Sequence, residues 1–177
     1  MPPSPSSADS IELRPLGAAE LEAASILAFE ANDGLEAQPD SARAYMPNVT
    51  VVRADLVKRL ATSALVGAWI GGRLAGVVNY VEGPQDPYAE FGDPDAAGIR
   101  QLAVGTGWQR RGVGAALVKY CIERARAEGK VRIVLHTTPW MQAAQRLYPR
   151  LGFTRTPELD FLPEPDLPLL GYTLELG

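Results

Sequence analysis

The chain has 177 residues, of which 46% are hydrophobic and 21% charged, and its formal net charge is −4. This length and composition are typical of a globular protein that can bury a core. The negative charge argues against a nucleic-acid-binding protein, because such binding depends on neutralising phosphates. Cys121 and His136 are each the only residue of their type. An intramolecular disulfide is therefore impossible, and zinc sites and histidine-based catalytic triads are largely excluded, so we expect no metal.

The N-terminus predicts a disordered leader over residues 1–10, followed by a single domain over residues 11–177. The leader lacks the basic and apolar regions of a signal peptide. No apolar run approaches the roughly 18 residues that a membrane helix requires. We therefore expect a soluble, cytoplasmic protein that does not interact with a membrane.

The first half of the chain combines helical and strand-like apolar patterns. Apolar residues at spacings of three and four predict amphipathic helices, and from residue 64 the pattern changes to that of strands. The pair Gly71 and Gly72 suits a two-residue hairpin turn. The predicted elements are a strand over 11–16, helices over 18–32 and 49–63, a loop over 33–48, and strands over 64–70 and 73–81.

The second half begins with a polar, proline-containing loop and then alternates strands with helices. The predicted elements are a loop over 82–98, strands over 99–104 and 131–138, helices over 112–128 and 139–152, and strands over 153–161 and 169–176. The strand–helix–strand unit around residues 112–128 predicts two parallel neighbouring strands. The whole order predicts an α/β fold, with a mixed sheet of about six or seven strands flanked by about four helices.

The stretch GWQRRGVGAA (residues 107–116) joins a strand to an apolar helix and is typical of a phosphate-binding turn. Gly107 and Gly112 have P-loop spacing, but Val113 and Gly114 stand where that motif requires lysine and a hydroxyl. The dinucleotide fingerprint fails as well, because its third glycine falls on Leu117. Close packing of a glycine turn remains an alternative for the turn taken alone.

A third pattern, Q-x-x-G-x-G, is matched by Gln109, Gly112 and Gly114. Here the segment IRQLAVGTGWQRRGVGAALVKYCIERA resembles the fourth strand, pyrophosphate loop and third helix of the GNAT superfamily of acyl-CoA-dependent N-acyltransferases. Further on, AAQRLYPRLGF resembles the family's A-x-x-L-Y-x-x-x-G-F segment. The order of elements fits the family from about residue 11 to 176. The resemblance implies a GNAT-like fold and acetyl-CoA as co-substrate.

The resemblance also implies a cofactor site that is made largely of backbone groups. Glycines let the chain approach a pyrophosphate closely, and the helix N-terminus supplies partial positive charge. One backbone N–H of the preceding strand would polarise the thioester carbonyl. The implied residues are Leu102, Ala103 and Val104 for the pantetheine arm, and Gln109, Arg110, Arg111, Gly112, Val113, Gly114 and Ala115 for the pyrophosphate turn.

Tyr148 occupies the position of the family's usual general acid, which protonates the departing thiolate. A phenol of pKa about 10 is protonated at neutral pH and can donate. A core aromatic is the alternative interpretation. Two features depart from the family pattern: Met141 replaces an Asn that often contacts the cofactor, and Pro149 disfavours helical geometry at Tyr148.

The sequence does not identify the general base. His136 is a candidate for the base or for the wall of the acceptor pocket, although a structural role is more common for a lone histidine. A water chain is a further alternative. Cys121 lies on the apolar face of its helix and is expected in the core. The acids on segments expected to reach the cleft are Glu30, Asp33, Glu82, Glu90 and Asp93.

The resulting hypothesis is an enzyme that transfers an acetyl group from acetyl-CoA to a primary amine of a small molecule or peptide. The amine would attack directly in a ternary complex. Transfer of a longer acyl group, an O-linked acceptor and a non-catalytic acyl-CoA sensor are the alternatives. A homodimer stays open, since many family members are homodimers. The segments that would define the acceptor carry no motif: residues 28–50, 82–98 and 156–170.

Overall fold

The computed structural model describes residues 10–177, so most of the predicted leader lies outside the described residues. The strands are β1 (Ile11–Pro15), β2 (Ala64–Ile70), β3 (Arg73–Val81), β4 (Ala96–Val104), β5 (Arg132–Thr137), β6 (Thr154–Arg155) and β7 (Leu170–Glu175). They form one seven-stranded sheet in the order β1-β2-β3-β4-β5-β7-β6. Within residues 10–177, only β4 and β5 pair in parallel, which confirms the predicted strand–helix–strand unit.

The helices are α1 (Leu21–Asp33), α2 (Asp40–Tyr45), α3 (Val49–Thr62), α4 (Val113–Ala127) and α5 (Gln142–Arg150). The four predicted helices are confirmed, but the expectation of a loop over residues 33–48 is wrong at α2. Pro39 precedes α2 with an extended backbone, and Asn48 caps α3 by accepting a hydrogen bond from the Val51 N–H at 3.1 Å. Among the described residues, none of the helices has the length and apolarity needed to cross a membrane.

The sheet separates two apolar layers. One face carries α4 and α5, with Val113, Leu117 and Cys121 fully buried against it. The opposite face carries α1 and α3, with Leu56 among the buried residues. Because the sheet is covered on both faces, its central strands are buried almost along their whole length, as expected for strands rich in valine, isoleucine and alanine.

The hairpin between β2 and β3 turns at the predicted glycine pair. Gly71 and Gly72 have φ values of 55° and 76°, and Ile70 pairs with Arg73 across the turn. Two consecutive positive φ values define the type I′ geometry that matches the twist of the flanking strands. The turn prediction is therefore confirmed.

Strands β4 and β5 separate part of the way along their length. Their parallel pairing runs from Ala96 with Arg132 to Ile99 with Leu135 and stops there. Just beyond, Gln101 has a φ of 50°, and the β3–β4 register shifts between Val77 and Asn79, as at a β-bulge. The bulge turns β4 away from β5. We call the resulting gap, between residues 100–104 and 136–138, the strand split.

Two strand boundaries differ from the prediction. β4 begins at Ala96, three residues before the expected start at residue 99, because Ala96–Gly98 pair with β5. β6 covers only Thr154–Arg155 instead of residues 153–161. Pro157 opens a short 3₁₀ turn there, and Arg155 bonds both carboxylate oxygens of Asp160 at 2.7 and 2.6 Å. This ion pair folds the segment back and ends the strand.

Candidate active site

The glycine turn presents unsatisfied backbone N–H groups at the start of α4. Arg110 and Gly112 have φ values of 60° and 80°, so the turn includes two left-handed residues. Gly112 is the N-cap of α4, and no side chain caps it. The amides of the first turn, at Val113, Gly114 and Ala115, therefore lack the partners that a capping side chain provides. Such an end of a helix favours an anion.

Cationic side chains surround the same turn. The guanidinium carbons of Arg73 and Arg111 lie 5.5 and 5.0 Å from the centre of the Trp108 ring. Gln109 and Arg110 are exposed beside them. The positive charge of these side chains adds to the partial charge of the helix N-terminus, so the turn is suited to a polyanion.

The turn also faces the free edge of β4. The Gly105 N–H donates to the Ala75 carbonyl oxygen of β3 at 2.9 Å. Backbone groups alternate along a strand, so Ala103 also directs its N–H and C=O towards β3. Leu102 and Val104 consequently direct theirs into the strand split. The backbone groups of Leu102 and Val104 are thus free of β3, whereas those of Ala103 are not.

Tyr148 lies on α5, in the apolar layer that α4 and α5 form on one face of the sheet. Its residue exposure is 4%, and its ring centre lies 5.7 Å from that of Phe153 and 5.8 Å from that of Tyr172. Burial raises the pKa of the Tyr148 phenol, and the charge of Arg100 only partly opposes this effect. The phenol is therefore protonated throughout the neutral range, as a proton donor must be.

The two departures from the family pattern have different structural consequences. The expectation that Pro149 would disturb helical geometry at Tyr148 is wrong, because α5 continues through Pro149 to Arg150. The Tyr148 carbonyl accepts hydrogen bonds from the N–H groups of Leu151 and Phe153, both at 3.0 Å, and these bonds hold the helix end. Met141 is the N-cap of α5 and provides no side-chain cap.

On the opposite side of the split, α3 contributes a buried polar network that sequence reasoning missed. Arg59 donates to Asp55 Oδ2 at 2.6 Å and to Asn79 Oδ1 at 3.0 Å, and its guanidinium stacks 3.9 Å from the Tyr88 ring centre. Gln101, the residue with positive φ, donates to the same Asp55 oxygen at 3.3 Å. This network ties the bulge of β4 to α3.

The β3–β4 loop (residues 82–95) brings Glu90 to the mouth of the split. Glu90 Oε2 lies 3.1 Å from Arg100 Nε and 3.5 Å from His136 Nδ1. Arg100 is 8% exposed and also donates to the carbonyl oxygens of Tyr88, Ala89 and Ile99. A charged residue inside the apolar strand IRQLAV was the only sequence signal for this arrangement.

The other candidate acids lie in ordinary surroundings. Asp33 and Asp93 form surface ion pairs with Arg43 and Arg132, each at 3.2 Å, while Glu30 and Glu82 are exposed. Cys121 is fully buried, and burial raises the pKa of its thiol to about 12, so it is a core residue as expected. Within residues 10–177, His, Cys, Asp and Glu side chains do not gather in threes around a metal-sized space.

A cleft of about 280 Å³ lies near two of the segments expected to define the acceptor. α2 supplies Ser41, Ala44 and Tyr45, and the β6–β7 connection supplies residues 164–167. The third segment, residues 82–98, contains Glu90, which lies at the mouth of the strand split and does not line this cleft. The structure thus brings residues 41–45 and 164–167 together, which no sequence motif predicted.

The described geometry combines a split mixed sheet with a helix N-terminus that faces the free edge of a strand. The sequence profile of the acetyltransferase (GNAT) family matches residues 29–153. The chain therefore belongs to the acetyltransferase (GNAT) family and is an acetyl-CoA-dependent transferase. The match confirms the predicted membership in the GNAT family and the predicted fold. The search of curated proteins found no significant match to this chain.

Solved structures share the fold at low sequence identity. The PaiA N-acetyltransferase of Thermoplasma acidophilum, in complex with coenzyme A, is 13% identical, with a TM-score of 0.70 over 94% of this chain and 99% of that one. YncA of Salmonella typhimurium, with its cofactor acetyl-CoA, is 19% identical with a TM-score of 0.66, covering 95% of each chain. The Escherichia coli ribosomal-protein-S18-alanine N-acetyltransferase is also 19% identical, with a TM-score of 0.66 and 95% of each chain covered.

Proposed function

We propose that residues 11–177 form one catalytic domain that transfers the acetyl group of acetyl-CoA to a primary amine of a small molecule or peptide. The amine attacks the thioester directly in a ternary complex. One observation carries the proposal: the uncapped N-terminus of α4 and the free edge of β4 face the same opening. A Cβ atom built at Gly114 would lie 3.6 Å from Val104 Cγ2, so the turn and the strand are neighbours.

The glycine turn fits a pyrophosphate. At Gly112, no atom lies within 4 Å of the position that a Cβ would occupy, so there is open space above the left-handed residue. The amides from Arg110 to Ala115 are the donors to the phosphate oxygens, with Gln109 at the rim. Arg111 and Arg73 add positive charge. Backbone donors at a helix N-terminus bind such anions without a metal ion of their own.

The free edge of β4 fits an extended amide-containing chain. The pantetheine arm has amide groups that pair with Leu102 and Val104 as an added strand would, while the side chain of Ala103 packs towards α1 and α3. One outward N–H donates to the thioester oxygen and stabilises the negative charge that develops there during attack.

Tyr148 acts as the general acid in this proposal. As the C–N bond forms and the C–S bond breaks, the departing thiolate takes the phenolic proton. The high pKa of the buried phenol suits this role, because the proton is present at the start of the reaction. Two structural neighbours were solved with coenzyme A or acetyl-CoA, which supports this choice of co-substrate.

Thermal unfolding in the presence of ligands tests the proposal. A ligand at about 100 times its dissociation constant stabilises the folded state by about 2.7 kcal/mol, a shift of several degrees. We expect acetyl-CoA and coenzyme A, but not NAD or ATP at equal concentration, to raise the melting temperature. If neither CoA species does so, the proposed function is wrong.

Turnover of an amine panel then separates an enzyme from a sensor. The panel contains spermidine, tyramine and tripeptides with N-terminal alanine or serine, and thiol release reports transfer. We expect Tyr148→Phe to lower kcat by about 100-fold while acetyl-CoA binding is retained, since proton transfer is lost but packing is kept. Tyr120→Phe, on α4, is the matched control and should match the wild type. Binding without transfer would instead favour the acyl-CoA sensor.

A further inference from the structure

Glu90 and His136 face each other at the mouth of the strand split, on the side of the sheet opposite α4 and α5. Glu90 Oε2 lies 3.5 Å from His136 Nδ1, and the side chains are 35% and 2% exposed. The carboxylate is thus the member of the pair that a substrate can reach. Arg100, which holds the same oxygen, is two residues before Leu102, or roughly 7 Å along the strand.

The hydrogen bonds of His136 fix its neutral tautomer. His136 Nε2 lies 2.9 Å from the carbonyl oxygen of Leu159. A carbonyl only accepts, so Nε2 carries the proton and Nδ1 of the neutral ring has a lone pair. Within the described residues, Nδ1 is buried and has no hydrogen-bond partner of proper geometry. Two proton acceptors, Nδ1 and the Glu90 carboxylate, therefore face each other, and one proton between them would satisfy both.

A second observation is consistent with a polar ligand at this end of β5. Three further buried polar atoms without a partner in the described part of the chain lie within four residues after His136: Thr137 Oγ1, Thr138 Oγ1 and Trp140 Nε1. Thr137 and Thr138 are only 2% and 4% exposed. Buried polar groups are normally paired, so such a run indicates a ligand or a functional constraint.

We infer that Glu90 is the catalytic base that accepts the proton of the acceptor's ammonium group, and that His136 is a positioning residue that shares this proton through Nδ1. This inference rests on the proposed acetyl transfer and specifies that the acceptor arrives as a protonated amine.

The proton balance of the reaction closes. The ammonium N–H bond breaks, and its proton moves to a Glu90 carboxylate oxygen, where His136 Nδ1 shares it. The neutral amine then forms the C–N bond as the C–S bond breaks. The second proton lost by nitrogen compensates the one that the thiolate takes from Tyr148. The proton held by Glu90 and His136 returns to solvent, so each turnover releases one proton.

The surrounding charges explain why the carboxylate needs a partner. Burial disfavours the charged form of Glu90, but the contact with His136 and the charge of Arg100 outweigh it, and the pKa of Glu90 lies below its usual value. Alone it would be a weak base, whereas an imidazole is a stronger one. The other charged or titratable groups near Glu90, His136 or Arg100 are Arg59 from α3, Asp86 from the β3–β4 loop, Tyr148 from α5 and Asp160 from the β6–β7 connection.

The single histidine makes the pair directly observable in the full-length protein. Imidazole ¹⁵N NMR of the CoA complex should show the Nε2–H tautomer above the titration midpoint of His136. We expect the ascending limb of kcat/KM against pH, measured with the fastest amine of the panel, to coincide with that midpoint.

Kinetics of variants complete the test. We expect Glu90→Gln to lower kcat by about 100-fold with an unchanged KM for acetyl-CoA. We expect His136→Gln to lower kcat by about tenfold and to move the ascending limb to lower pH, since only the weaker base remains. The control Glu123→Gln removes a carboxylate that is 73% exposed on α4 and should leave both parameters unchanged.

The outcomes separate this inference from the proposed function. Transfer that persists in Glu90→Gln at the wild-type rate and pH profile overturns the inference and leaves acetyl transfer standing. Absence of transfer by the wild type to every amine overturns both. If Glu90→Gln does not fold, Glu90→Asp decides: it keeps the charge but shortens the reach, and a wild-type kcat in that variant would also contradict the assignment of Glu90 as the base.

Discussion

The two sides of the split sheet differ in which atoms do the chemistry. On the side of α4 and α5, the proposed donors are backbone amides of β4 and of the glycine turn. On the side of α1 and α3, the groups that meet are side chains from four places in the chain, with Arg59, Arg100 and His136 among them. The first arrangement is local in sequence, whereas the second exists only after the sheet has formed.

This difference predicts different responses to substitution. A backbone site is insensitive to most side-chain changes and fails when a residue can no longer adopt its φ and ψ. A side-chain network is sensitive even to substitutions that leave the backbone conformation unchanged. Removing one charged member leaves its buried partner unpaired. Substitutions on the two sides should therefore have different effects on binding and on stability.

The largest effect is expected for Gly112→Val. A β-branched residue cannot easily take the φ of 80° at Gly112. Strain of about 1–2 kcal/mol and the loss of a charge-assisted hydrogen bond together amount to about 4 kcal/mol. We expect the Kd for acetyl-CoA to rise by close to three orders of magnitude, measured by isothermal titration calorimetry.

Gly107→Ala is the matched control for this prediction. Gly107 lies in the same segment, no atom lies within 4 Å of the position that a Cβ would occupy, and its φ is not in the left-handed range. Its Kd should equal that of the wild type. Equal weakening in both variants would mean that the turn only packs, and that the pyrophosphate lies elsewhere.

The next largest effect is expected for Arg59→Met. This change leaves Asp55, whose side chain is 19% exposed, without its charged partner. Breaking a buried ion pair typically costs about 3 kcal/mol or more of unfolding free energy. We expect denaturant unfolding to show this loss, while the Kd for acetyl-CoA remains close to that of the wild type because the other side of the sheet is intact.

Two variants sharpen this prediction. Asp55→Leu combined with Arg59→Met should recover much of the loss, since no unpaired charge is then buried. Arg53→Met breaks an exposed pair with Glu22, so it should cost less than about 1 kcal/mol. An equal cost for Arg53→Met and Arg59→Met would contradict the importance of burial.

The glycine turn and the start of α4 could largely be predicted from the sequence. The spacing of Gln109, Gly112 and Gly114, and the apolar face of α4, are local patterns that backbone geometry requires. The hairpin at Gly71 and Gly72 was readable for the same reason. Local sequence patterns do not predict that the backbone N–H and C=O of Ala103 point towards β3. That orientation depends on the register between β3 and β4.

The side-chain network on the side of α1 and α3 could mostly not be predicted from the sequence. Glu90 was one acid among five candidates, and nothing in its neighbours along the chain distinguishes it. Its significance comes from Arg100 and His136, which lie on different strands and meet only where β4 and β5 diverge. The extent of β6 was also misjudged, because the ion pair of Arg155 with Asp160 is a tertiary constraint that strand propensity does not reveal.

A smaller effect is expected for the pH dependence of stability in Glu90→Gln. The folded-state pKa of Glu90 is lowered, so its charge stabilises the fold above the unfolded pKa of about 4.3 and this contribution is lost as pH falls through the folded value. We expect the wild type to melt above Glu90→Gln at pH 7 and the difference to narrow below about pH 4. Glu123→Gln should match the wild type at both pH values. A difference that does not change with pH would contradict the assignment.

The smallest effect is expected for Met141→Asn. Met141 is an N-cap without a side-chain acceptor, and an asparagine cap is typically worth about 1 kcal/mol. We expect a small rise in unfolding free energy and, if the family contact is restored, a modestly lower Kd for acetyl-CoA. Met141→Ala, which adds no acceptor, should show neither change. A loss of stability in the asparagine variant would show that the side chain of Met141 matters for packing instead.

Whether backbone groups form the cofactor site can be measured by amide hydrogen exchange with and without coenzyme A, because exchange reports on backbone N–H groups residue by residue. We expect coenzyme A to slow exchange at Leu102, Val104 and the amides of residues 113–115, while the amides of the α3 network change little. If coenzyme A binds and leaves those amides unprotected, the cofactor site is not made of these backbone groups.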